Sequence, residues 1–229
     1  LSSQFSNAPV ISSEGRSYPI TISYSGQDTS VKEIVAVTVA SVGQALPQRE
    51  GDILVFMPGA YQIDRTVEAL RRNHRDVDIC PLYGGLPLSD QRWAIEPGPR
   101  RKVVVATNVA ETSLTIEGVR TVIDSGFEKR PRFDAARGLT TLETVRISQA
   151  SATQRAGRAG RLGPGSCYRL WSEGTQGALL PQAPPEIAVA DLTPLALDLS
   201  HWGIADADSL AWIDPPPAGH LKAARRLLK

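Results

Sequence analysis

An α/β fold built on a parallel sheet follows from three observations. Short apolar runs recur, each bounded by turn-forming residues: Ile53, Leu54, Val55, Phe56 and Met57 lie between Gly51-Asp52 and Pro58-Gly59. Such runs suit strands buried on both faces. Between the runs, apolar residues recur at helical spacing, as at Ile63, Val67 and Leu70. Strand and helix then alternate at intervals short enough for right-handed crossover units.

The elements follow in order. Residues 18–24 alternate and predict a strand. Val31, Ile34, Val35, Val39, Val42 and Leu46 predict a helix. After the buried strand at 53–57 comes the helix of Ile63, Val67 and Leu70. Residues 77–82 predict a strand, closed by Gly84-Gly85, and residues 88–95 a short helix. Residues 102–107 and 119–124 are two further buried strands. Residues 127–148 break the rhythm: two extended segments flank Ala135-Ala136-Arg137-Gly138, a β-hairpin in which Gly138 takes a left-handed position. Residues 166–171 are a last strand. Residues 174–186, rich in Gly, Gln and Pro, are expected to be a linker. Beyond it Leu192, Leu195, Leu199 and Trp202 form a helical face that stops at Gly203, and Leu221, Ala224 and Leu228 mark a final helix. This last segment is small for an independent core. Residues 1–16 are polar and expected to be loose.

Composition excludes some classes. The formal net charge of the 229 residues is only +1, so nucleic-acid binding must come from local patches. The two cysteines, Cys80 and Cys167, stand in no metal or redox spacing, and the three histidines are isolated. No metal site is expected, and a reducing cytoplasm is the default setting. No apolar run is long enough to span a bilayer, so no membrane partner is expected. The chain opens on Leu1 and ends within a helical pattern, and both ends look cut from a longer protein.

The stretch Gln154-Arg155-Ala156-Gly157-Arg158-Ala159-Gly160-Arg161 concentrates the chemistry. Read as one helix, it places Gln154, Arg158 and Arg161 at i, i+4 and i+7, on one face. Apart from Arg155, only Ala and Gly separate them, so a large anion can approach two guanidiniums and an amide. Guanidinium is always charged and its planar fork matches phosphate oxygens. Phosphoryl transfer needs such groups, with arginines against the developing charge and a glutamine to orient water. A plain solvated basic helix is the alternative, but it would gain nothing from Gly157 and Gly160, which weaken a helix.

A second constellation follows the third buried strand: Thr107-Asn108-Val109-Ala110-Glu111-Thr112-Ser113-Leu114-Thr115-Ile116-Glu117. Ligands of open α/β sheets bind at the carboxyl ends of strands, and hydroxyls and an amide there can bond phosphates. Residues 107–116 resemble motif V of the DEAH-box helicases, and residues 154–161 resemble their motif VI. Residues 51–59 resemble motif IV. Leu82-Tyr83-Gly84-Gly85-Leu86 with Gln91-Arg92 resembles the motif between IV and V, and Trp212 to Ala218 resembles the start of the family's winged-helix domain.

That resemblance covers essentially the whole chain. It implies a RecA-like, P-loop NTPase-type parallel sheet with a β-hairpin insertion over residues 1–181, followed by a truncated, partly α-helical winged-helix segment over 182–229. By the same resemblance Arg158 and Arg161 are expected as arginine fingers on the γ-phosphate of ATP, and Gln154 as the residue that positions water. Ser113 and Thr115 are expected near the nucleotide, with Ile95 and Glu117 at its base and ribose positions. Thr107 and Asn108 are expected on the RNA backbone, and Gly59, Gly84 and Gly85 where backbone approaches phosphate. Arg155 falls off the shared face and is expected to be structural. The hairpin is expected to act as a wedge. Three positions depart from the family pattern. Ile95 stands where an aromatic often stacks on the base, Glu117 where an Asp binds ribose, and Val189 where an Arg contacts the winged-helix domain.

The sequence contains no G-x-x-x-x-G-K-[ST] and no Asp-Glu-x-His. The phosphate cradle, the Mg²⁺ ligands and the catalytic carboxylate are therefore expected in a first RecA-like domain of the same parent protein, and this chain alone is expected to be inactive. The expected partners are that domain and single-stranded RNA. A binding module without motor activity and a DNA-directed helicase of the same superfamily are the alternatives, and oligomeric state is left open.

Overall fold

The computed structural model describes residues 8–11, 18–112, 114–134 and 137–228. The expectation of a loose start falls largely outside these residues, and so does Ser113.

Backbone contacts divide the chain into two compact units. The larger comprises residues 16–129 and 144–183, the smaller residues 1–15, 130–143 and 184–229. The strands are β1 (Ile20–Tyr24), β2 (Asp52–Phe56), β3 (Asp78–Leu82), β4 (Lys102–Ala106), β5 (Val119–Asp124), β6 (Phe127–Asp134), β7 (Leu139–Arg146) and β8 (Gly165–Arg169). The larger unit is built on a six-stranded sheet in the order β1-β8-β5-β2-β4-β3, with every pairing parallel. The predicted parallel α/β architecture is therefore observed. β6 and β7 form the separate antiparallel hairpin, and Gly138 has φ +65°, the left-handed turn position expected of it.

Two helices, α1 (Ile34–Ala45) and α2 (Ala60–Asn73), cover one sheet face. The other face takes α3 (Leu88–Ile95), the short α4 (Val109–Thr112) and α5 (Gln149–Gly157). Alternate residues of β2 sort between the faces: Ile53 and Val55 pack toward α1 and α2, Leu54 and Phe56 toward the opposite layer. Cys80 and Cys167 are buried in that opposite layer, and burial pushes their thiols up to about 11 and about 12. They act as small apolar side chains.

The expected linker begins instead with α6 (Glu173–Ala178). Gly174 and Gly177 hid it from a propensity reading, but capping supplies what they lack. The Ser172 side chain accepts from the Thr175 N–H, and Asp28 accepts from the Ser172 N–H at 3.0 Å and the Thr175 hydroxyl at 2.6 Å. In the smaller unit, α7 (Thr193–His201) and α8 (Ala218–Leu227) enclose a core of Leu192, Ala196, Leu199, Ala207, Leu221 and Ala224. The Trp212 indole N–H donates to the Ala207 carbonyl at 2.7 Å.

Docking of α5 depends on small residues and one large one. Ala152 and Ala156 are buried along its sheet-facing side, with Ala159 just beyond its end. A Cβ on Gly165 would fall 2.3 Å from the Ala159 carbonyl oxygen, so β8 begins where only glycine fits. The large residue is Arg155, 1% exposed. It donates from Nη1 to Asp124 at 3.0 Å and to the Phe127 carbonyl at 3.2 Å, and from Nε to Glu111 at 2.9 Å. Nη2 lies 3.8 Å from Glu128, and the guanidinium stands 4.9 Å from the centre of the Phe56 ring. Burial opposes the charge on Arg155, but Asp124 and Glu111 outweigh it and raise its pKa.

Gly165→Ala is expected to lower stability by about 1–3 kcal/mol through overpacking against an immovable carbonyl, read as a drop in thermal midpoint. Arg155→Met is expected to cost about 3–5 kcal/mol at neutral pH, since it strands carboxylates in the interior. Burial already raises the pKa of Asp124, and without Arg155 it rises further. A group whose folded pKa lies above its unfolded value weakens the fold as pH climbs between the two. The deficit of the variant should thus shrink toward pH 4; a deficit that is flat from pH 4 to 8 would contradict this account.

Candidate nucleotide and nucleic-acid interface

The arginine stretch is not one straight helix. α5 ends at Gly157, and Arg158, Ala159 and Gly160 form a 3₁₀ turn capped by Arg161. A 3₁₀ turn winds faster than an α-helix. The face that meets residues 107–115 carries Ser151, Arg155, Arg158 and Arg161. Gln154 is exposed beside it. Of the three residues expected to share a face, Gln154 and Arg161 are exposed and Arg158 is buried.

The contacts run in sequence along both segments. The Ser151 hydroxyl donates to the Glu111 carboxylate at 2.7 Å, and Arg155 Nε to the same oxygen at 2.9 Å. Arg158, 7% exposed, donates to the backbone carbonyls of Glu111 and Leu114, the latter at 2.6 Å. Arg161, exposed at the end of the turn, donates to the Thr115 hydroxyl at 2.8 Å. Burial, together with the neighbouring charge of Arg161, lowers the pKa of Arg158.

The strand directions sort the predicted residues into two groups. Thr107 and Asn108 follow β4, Gly59 follows β2, and Gly84 and Gly85 follow β3. All five therefore lie at the carboxyl edge of the sheet. Asn108, Gly84 and Gly85 are exposed, and a Cβ on Gly84 would meet nothing within 4 Å. Gly59 differs: it is buried at the start of α2, and a Cβ there would sit 3.0 Å from Lys129 Cε. Thr107 donates from its N–H to the Leu82 carbonyl at 3.2 Å, which ties the turn to the end of β3.

The second group gathers toward the opposite edge. Ile95 ends α3, just before β4 begins, and half-buried it packs on the core with Leu114. Lys102, 2% exposed, fixes that position by donating to the Trp93 and Glu96 carbonyls. Glu117 is exposed beside Gly118, whose carbonyl accepts from the Asp52 N–H at the start of β2. Residues 107–117 thus do not form one carboxyl-edge turn as the sequence suggested. They start at that edge and travel along the sheet face to the other. The Arg158 and Arg161 contacts to Leu114 and Thr115 escaped sequence reading because their partners are 44 and 46 residues away. Among the described residues no group of three or more His, Cys, Asp or Glu comes together as a metal site, and no helix is long and apolar enough to cross a membrane.

Comparison with known proteins shows which family shares this domain. The model of the helicase conserved C-terminal domain matches residues 30–163. The ATP-dependent RNA helicase HrpB of Escherichia coli is 47% identical over 232 residues, covering all of this chain and 29% of its own length. The pre-mRNA-splicing factor ATP-dependent RNA helicase prp22 of Schizosaccharomyces pombe is 42% identical over 235 residues, covering 98% of this chain and 20% of its own length. A crystal structure of the E. coli DEAH/RHA helicase HrpB superposes with a TM-score of 0.90 at 45% identity, over 99% of this chain and 29% of that one. The chain therefore spans under a third of the length of these relatives. On these matches, and on the two motif segments the structure docks together, the chain belongs to the helicase conserved C-terminal domain family, in the form that DEAH-box RNA helicases carry.

Proposed function

We propose that this chain is the second motor domain of an ATP-dependent RNA helicase. Residues 1–181 act as its RecA-like domain and residues 182–229 as the start of a winged-helix domain. The observation that carries the reading is the continuous segment 107–117. It presents Thr107 and Asn108 at one edge of the sheet, and Thr115 beside the exposed Arg161 near the other. One domain can thus hold a strand at one end and a triphosphate at the other.

In this reading Thr107, Asn108, Gly84 and Gly85 contact the backbone of single-stranded RNA. Arg161 approaches the γ-phosphate of ATP, Gln154 orients water, and Ile95, Ser113, Thr115 and Glu117 border the nucleotide. The phosphate cradle, the Mg²⁺ ligands and the catalytic carboxylate come from a first RecA-like domain of the same protein, so the isolated chain does not hydrolyse ATP. ATP draws the two domains together, and hydrolysis removes the anchor on which closure depends. Arg158 has a second duty here. Its guanidinium already holds two carbonyls of the 107–115 segment, so it shapes that segment while it completes the cationic site.

Arg161 is accordingly the cleaner test. In the full-length protein, Arg161→Ala is expected to lower RNA-stimulated ATP hydrolysis by about a thousandfold, the lower end for an arginine finger, while RNA affinity holds. Hydrolysis within about a factor of ten of the unaltered protein would remove the finger role. RNA binding that ignores ATP and weakens steeply with salt, with no hydrolysis at all, would favour a binding module instead.

A further inference from the structure

We infer that the outer groove between α1 and α2 is a docking site for an acidic, amphipathic helix of a partner protein. The inference is independent of the nucleotide and strand readings, because α1 and α2 cover the sheet face opposite α5.

α1 has no charged residue in its 12 positions. Its core side needs only Ile34, Thr38, Val42 and Ala45, which are buried. The remaining positions face outward or sideways, where a surface helix ordinarily turns polar and charged. α2, beside it, does so, with five charged residues in 14. On α1 the exposed positions are Ala36, Ala40 and Gln44, and half-buried Val35 and Val39 face α2. Ala36, Ala40, Val35 and Val39, with Ala69 across the gap, floor a groove of about 860 Å³. A helix apolar on nearly every side is characteristically one that is covered. Tyr61, 70% exposed, stands on the α2 wall of the groove, and aromatic side chains are enriched where proteins meet.

Among the described residues the charged side chains lining the groove are Lys32 and Arg65, both cationic and exposed. Their anionic neighbours are engaged elsewhere. Glu33 accepts from the Ser30 hydroxyl at 2.6 Å. Glu68 is held by Arg72, while Arg65 lies 3.6 Å from it on the open surface. Burial first, and then the charge of Asp64, raise the pKa of Tyr83, so that carboxylate lies on the β3 side of α2, away from α1. A cationic rim around an apolar floor matches an amphipathic helix with carboxylates along the edges of its apolar face. A single-stranded nucleic acid would meet the rim and leave the floor uncovered.

The test uses the full-length protein and two fluorescent helical peptides. Both carry one leucine face at i, i+3, i+4 and i+7 spacing; glutamates flank it in one peptide and lysines in the other. Binding is read by fluorescence anisotropy for the unaltered protein, for Ala36→Glu, and for the double variant Lys32→Glu with Arg65→Glu. The glutamate-flanked peptide is expected to bind, and the lysine-flanked peptide to bind about 5- to 10-fold more weakly, as two exposed ion pairs allow. Ala36→Glu should weaken the glutamate-flanked peptide by more than about tenfold, because it buries an unpaired carboxylate in the contact. The double variant should reverse the order of the two peptides, which a merely structural effect would not do. All three positions are exposed, so thermal midpoints are expected to hold; if Ala36→Glu lowers its midpoint markedly, the double variant alone decides. No binding by either peptide, equal affinity for both, or an unreversed order in the double variant overturns the inference. So does displacement of the bound peptide by single-stranded polyuridine, which would make the groove a nucleic-acid surface. A dimer of the unaltered protein that Ala36→Glu splits also overturns it, because the groove would then belong to a second copy.

Discussion

One guanidinium, that of Arg155, stands at the junction of every element that matters to the site. It is closed off from water and meets three carboxylates from three places in the chain: Glu111 after β4, Asp124 at the end of β5 and Glu128 at the base of the hairpin. A buried ion pair is weak evidence for stability, because desolvation offsets much of the attraction. Its value here is specificity of arrangement. Hydrophobic packing alone would let α5 slide or rotate over a face lined by Ala152, Ala156 and Ala159, where the side chains offer no ridges. A planar fork with fixed partners does not allow that freedom. The register of α5 then dictates where Ser151, Arg158 and Arg161 fall, and through them how residues 107–115 lie on the sheet.

The strands and most helices were legible in the sequence because each is a local pattern. β2, β4 and β5 announce themselves as apolar runs, and α3 matches its expected bounds at Leu88–Ile95. What stayed hidden was non-local or rested on capping. α6 carries two glycines and forms because Ser172 and Asp28 satisfy its first turn. The bond from Arg161 to Thr115 is invisible to any window shorter than their separation. The burial of Arg158 was hidden for the same reason, since its carbonyl partners lie 44 and 47 residues away.

The residues expected near a nucleotide and those expected near a nucleic-acid strand lie in different places on the sheet. One group follows β2, β3 and β4, a second precedes β4, β5 and β8, and the two lie at opposite ends of the same parallel sheet. A parallel sheet makes this natural, since each connecting segment must cross from a carboxyl edge to an amino edge. Between β4 and β5 the crossing is made by residues 107–118, most of them without a long helix of their own. That economy leaves backbone carbonyls uncovered, and Arg158 covers two of them. Without such a donor, buried carbonyls in an irregular segment carry a desolvation cost.

The two arginines of the 3₁₀ turn therefore cannot be equivalent, although the sequence presents them as a pair. Arg158 is buried and already bonded, and burial and the charge of Arg161 both work against its own charge. Arg161 is exposed and holds a single hydroxyl. Under the proposed function, a phosphate arriving at this turn would meet Arg161 first, and Arg158 could join only if the segment it supports yielded a carbonyl. Under that reading a phosphate and the carbonyls of Glu111 and Leu114 would be opposing claims on one guanidinium. The same segment begins at Thr107 and Asn108, so any ligand that reshapes it from that end changes what Arg158 must give up. That exchange is a physical route by which occupancy of one edge of the sheet can bias events at the other, without any movement of the sheet itself.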